Sequence, residues 1–79
     1  MSIDWTYTKT EYLPLTGAIY WVAVHDETGN NYVIKMTGTA DNTMKVVEEP
    51  EKYYAWAPFD IFYECDLIPA PIYGRGGKQ

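Results

Sequence analysis

Apolar and polar residues alternate through much of this chain, and the alternation predicts a sheet. In residues 5 to 13, Trp5, Tyr7 and Lys9 fall on one side and Thr6, Thr8 and Thr10 on the other, a period-two strand pattern that Pro14 ends. Residues 18 to 25, A-I-Y-W-V-A-V-H, give the strongest strand signal. Ile19, Trp21 and Ala23 share one face; Tyr20, Val22 and Val24 share the other. Both faces are apolar, so this strand is expected to be central and covered on each side. Asp26 to Asn31, D-E-T-G-N-N, reads as a hairpin turn, because glycine and asparagine tolerate the positive φ such loops need. Tyr32 to Thr37 alternates again and forms the returning strand.

Beyond Thr37 the pattern weakens. Gly38 to Thr43 reads as loop. Met44 to Glu49 has two readings: a strand, favoured by the adjacent valines Val46 and Val47, or a short helix capped by Asp41 with Met44 and Val47 on one face. Strand is the preferred one. Pro50 ends the element either way. In E-K-Y-Y-A-W-A, Tyr54 and Trp56 fall on one face and Tyr53 and Ala55 on the other; Pro58 follows, and Phe59 to Tyr63 reads as a further short strand. The predicted fold is mainly β, either all-β or a β-rich α+β: a single small antiparallel sheet or open barrel of four or five short strands, with at most one short helix. Residues 1–68 form the compact domain. Residues 69–79, rich in proline and glycine, form an extended, partly disordered tail.

Composition narrows the chemistry. The chain has 79 residues and a formal charge of −5; over residues 1–66, eleven acids face only Lys9, Lys35, Lys45 and Lys52, a net −7. That charge argues against direct nucleic-acid binding and against anionic membrane surfaces. No basic-then-apolar leader opens the chain, and no apolar run approaches the ~20 residues that cross a bilayer. With a single cysteine, Cys65, a cytoplasmic setting is expected, the host's if the protein is viral. A core of this size gains from association, so a homo-oligomer is also expected.

Catalytic parts are scarce. His25 is the only histidine, Ser2 the only serine, and Cys65 lies between Glu64 and Asp66, which disfavour a thiolate. One histidine and one cysteine cannot complete a zinc site within one chain. Asp60, among Phe59, Ile61 and Phe62, is the sole carboxylate in an apolar stretch. These counts point to a protein that is not an enzyme and needs no cofactor or metal.

Binding is the remaining class. Glu48, Glu49 and Glu51 would steer a partner with a basic or mixed surface, and Tyr53, Tyr54, Trp56 and Tyr63 would anchor it, since interface hot spots favour large rings. Within the block 53–63, the pattern assigns Tyr54, Trp56 and Phe59 to covering the central strand and Tyr53 and Tyr63 to outside contacts. In size, acidity and lack of enzymatic parts the chain resembles the small inhibitors and adaptors that bacteriophages and other mobile elements use against host machinery. This is a likeness of class, carried by no diagnostic motif. Two alternatives accompany it. One is an oligomer that stacks a nucleotide or metabolite on Trp21 and Trp56, with Lys35 or Arg75 meeting its phosphate. The other is a small structural subunit of a larger particle.

Overall fold

The computed structural model describes residues 3–59 and 68–73. They form a four-stranded antiparallel sheet with one short helix. The elements are β1 (Thr6–Tyr7), β2 (Ile19–His25), β3 (Asn31–Thr37), α1 (Ala40–Glu48) and β4 (Tyr53–Pro58), and the strand order is β1-β4-β2-β3. β2 is central, as its two apolar faces require: it pairs with β3 on one side and β4 on the other.

One face of the sheet carries Tyr20, Val22, Met36 and Trp56, packed with Leu13 and with Val46 of α1. The other carries Trp21, Ala23, Val33, Ala55 and Ala57. The chain's two ends cover it, through Ile3 and Trp5 before β1 and through Ile68, Ala70 and Tyr73 after β4. The helix and the terminal segments are therefore the layers that the central strand calls for. Gly38 lets the 13–15 segment close over the first face: a Cβ there would collide with the Pro14 carbonyl oxygen.

The β2–β3 hairpin forms as the alternation predicts, with Gly29 at φ +89° in its turn. Three expectations need correction. The first strand is only Thr6–Tyr7, because the amides of Thr10 and Glu11 both fold back onto the Tyr7 carbonyl (2.9 and 3.1 Å). Thr8, only 1 % exposed, then ties the chain to β4 by donating its hydroxyl to the Tyr53 carbonyl at 2.8 Å.

The second correction is that residues 40–48 are helix, not loop and strand. Thr39, not Asp41, is the cap: its side chain accepts from the Asn42 amide. Val46 points inward, while Met44 and Val47 face out, 55 % and 37 % exposed. The inner face is otherwise polar and bonded: Asn42 Nδ2 donates to the Thr37 carbonyl (2.8 Å) and Thr43 Oγ1 to the Leu13 carbonyl (3.1 Å). Only one apolar residue in nine is buried: the spacing of Ala40, Met44 and Val47 marks a face that the fold turns outward, and β-branched propensity gives way to tertiary packing.

The third concerns β4. Its pairing with β2 shifts between Ala23 and Val24, which oppose Ala55 and Tyr53 respectively, leaving Tyr54 as a bulge residue. The bulge breaks the period of two. Trp56 and Tyr53 pack on the helix-covered face, and Tyr54 packs with Ala23 and Ala55 on the opposite one. The strand expected at Phe59–Tyr63 falls, after Phe59, outside the described residues, as do Asp60, Cys65 and the end of the tail.

Candidate functional site

The connectivity of the sheet sets up one end of the molecule. β3 runs away from the hairpin turn, α1 returns alongside the sheet, and β4 starts again next to the end of β2, since Val24 pairs with Tyr53. The link from α1 to β4, residues 49–52, therefore arrives beside the turn at 26–30. A backbone bond from the His25 amide to the Lys52 carbonyl (2.8 Å) fastens the two segments together.

Each segment is held in shape by local bonds. In the turn, one oxygen of Asp26 accepts from the Thr28 amide (2.9 Å), the Thr28 hydroxyl (2.7 Å) and the Asn30 amide (2.9 Å). These bonds, the Thr28 hydroxyl first, hold the Asp26 carboxyl below its ordinary range, so it is ionised at neutral pH. In the link, the Glu49 amide closes the helix on the Lys45 carbonyl, and the Glu49 carbonyl accepts from the amides of Lys52 and Tyr53, each bond 3.0 Å. The Lys52 ammonium sits 5.2 Å above the Tyr53 ring; Tyr53 first, then Glu49, raise its pKa.

Between these segments lies a groove of about 500 Å³, lined by Asp26, Glu27, Tyr32, Glu49, Glu51 and Tyr73, with His25, Thr28 and Lys52 completing it. Four carboxylates thus meet one lysine across an aromatic-walled groove, and a second depression of about 440 Å³ continues along Glu48–Lys52. The far wall is fixed by stacking. The His25 ring lies on the Tyr73 ring at 3.6 Å and 11°, and His25 Nδ1 is 2.6 Å from Asn31 Oδ1. Tyr73 in turn meets Tyr54 edge-on at 5.0 Å, and the Tyr54 hydroxyl donates to the Pro71 carbonyl at 2.7 Å. Burial pushes the Tyr54 phenol up to about 12, with Tyr7 and Tyr73 adding to the shift, so it stays a neutral donor. Chemically, the groove suits a cation: carboxylates supply the charge, and the exposed Tyr32 ring supplies a face for an ammonium or guanidinium.

The structure brings Glu49 and Glu51 together with residues that the sequence pattern did not connect to them. Glu48 borders the second depression, and Tyr53 is half-buried beneath Lys52. Tyr54 and Trp56 are core residues, 4 % and 9 % exposed, and leave no face for a partner; the Trp56 indole N–H is already donated to the Glu11 carbonyl at 3.0 Å. Tyr63 lies outside the described residues. Of the residues assigned to a stacked ligand, Trp21 and Trp56 sit on opposite faces of the sheet, both buried, and do not share a pocket. Trp21 packs on Phe59 at 4.9 Å, and Lys35 Nζ lies 5.2 Å over that same Phe59 ring. Arg75 lies outside the described residues.

Of the lining residues, sequence reasoning found Glu49 and Glu51 and missed the rest, among them Asp26, Glu27, Tyr32 and Tyr73. The signal that would have found them is the helical reading of 40–48, because a crossover, unlike a further meander strand, starts the next strand beside β2, whose end leads into the 26–30 turn. Comparison with protein-family models, curated proteins and solved structures gave no match. Among the described residues, no helix is long and apolar enough to cross a membrane.

Proposed function

We infer that this chain is a non-enzymatic protein-binding module that receives a basic segment of its partner in the groove between the 26–30 turn and the 49–52 link. The observation that carries this reading is the convergence of Asp26, Glu27, Glu49 and Glu51 with Tyr32 and Tyr73 on one groove. Carboxylates gathered from two separate segments steer a cationic surface, and the rings give it area to bind. The reading fits a small acidic inhibitor or adaptor of the kind mobile elements carry, acting in a cytoplasm. A ligand stacked between Trp21 and Trp56 has no comparable support, given their burial on opposite faces.

Affinity capture from the native host lysate, run in parallel with the full chain and with a Glu49→Lys/Glu51→Lys variant, tests the proposal. A specific protein retained by the native chain, lost from the variant and released by salt is the expected result. Identical retention by both baits, or none by either, would contradict it.

A further inference from the structure

The two edges of the sheet are unlike. β1 is two residues long, whereas β3 offers seven residues, with no proline and no bulge in its pairing with β2. Its free side can be read from the ladder. Bonds from Gly38 N to Ala18 O (2.7 Å) and from Asp26 N to Asn30 O (3.0 Å) bracket the β2–β3 pairing. The hydrogen-bonded pairs between them are Tyr20–Met36, Val22–Ile34 and Val24–Tyr32, because such pairs alternate along an antiparallel ladder. The backbone groups of Asn31, Val33, Lys35 and Thr37 therefore point away from β2. The Thr37 carbonyl is taken by Thr39 N and Asn42 Nδ2, both at 2.8 Å. Among the described residues, the others meet no further strand.

We propose that the β3 edge pairs antiparallel with the β3 edge of a second copy of this chain, joining two four-stranded sheets into one of eight. The strand is its own complement. Seven residues centred on Ile34 overlap fully when Ile34 opposes Ile34, which sets Val33 opposite Lys35 and Tyr32 opposite Met36. This register keeps the two lysines from facing each other, where like charges would repel, and it pairs the 44 %-exposed Tyr32 with an apolar side chain. An open edge of this length is a template for strand addition unless charge or proline blunts it, and here only Lys35 does so. The inference goes beyond the groove and does not rest on it.

Light scattering on the full chain gives the first reading. The expected mass is twice the 9.1 kDa of one chain, falling toward the single-chain value on dilution. Lys35→Pro removes an outward amide and no β2–β3 bond, so it should give a monomer with an unchanged circular dichroism spectrum. Two cysteine variants in a Cys65→Ser background fix the register. Ile34→Cys places its sulfurs in a close, non-hydrogen-bonded pair and should oxidise to a covalent dimer. Lys35→Cys leaves its Cα atoms about 8–9 Å apart, too far for a disulfide, and should cross-link at least tenfold more slowly. A single-chain mass at every concentration, or a dimer untouched by a folded Lys35→Pro, overturns the proposal. If Lys35→Pro does not fold, the cysteine pair decides, and equal cross-linking of both variants overturns it.

Discussion

Tyr54 shows how much one side chain can hold in so small a protein. Its ring packs with Ala23 and Ala55 at the bulge of β4, and its hydroxyl fastens the Pro71 carbonyl over the sheet. Tyr7 adds a parallel bond, from its hydroxyl to the Ile72 carbonyl at 3.0 Å. Because folding raises the Tyr54 phenol from its ordinary value near 10 to about 12, the folded state favours the neutral form. The sign follows from linkage: this stabilisation is fully present below pH 10 and is lost as pH climbs toward 12. Thermal melts of the native chain should therefore fall in Tm across that window, and Tyr54→Phe should flatten part of the fall. At neutral pH the same variant loses about 1 kcal/mol with its hydrogen bond. An unchanged alkaline slope in Tyr54→Phe would remove Tyr54 from this role. The identity of Tyr54 as a core ring is legible in the sequence; its face is not, because a bulge leaves no mark on a period-two pattern.

At the scale of elements, β2 and β3 were legible, while the first strand was shorter than its alternation and α1 was not the preferred reading. β2 and β3 follow from alternation and from a turn whose glycine and asparagines suit it. The helix escaped because Val46 is its single deeply buried residue, and its cap, Thr39, lies in what reads as loop. The helical geometry makes a prediction that the strand reading would not. Val46→Ala should cost about 1–3 kcal/mol, as a core truncation does. Met44→Ala, on the outward face, should change stability by less than about 0.5 kcal/mol. Urea unfolding of the two variants measures both, and equal losses would be inconsistent with this packing. The candidate site depended on the same element. Glu49 and Glu51 stand out in the sequence as an acidic run, but they meet Asp26 and Glu27 because the crossover starts β4 beside the end of β2.

For the molecule as a whole, folding sorts the aromatic residues by depth. Trp21, Trp56 and Tyr54 are buried, while Tyr32 is exposed and Tyr73 half-buried along the groove. A net charge of −5 makes attraction to a cation general, so the specific claim is one of place: a basic ligand should engage the turn and the link at once. Titration of the isotopically labelled chain with a short arginine-rich peptide at low salt, followed by amide NMR, tests this most directly. The account predicts that the amides of residues 26–30, 49 and 51–53 shift together, with one common affinity that weakens in Glu49→Lys/Glu51→Lys. Shifts spread equally over distant acids such as Glu11 and Asp41, or confined to one of the two segments, would contradict it.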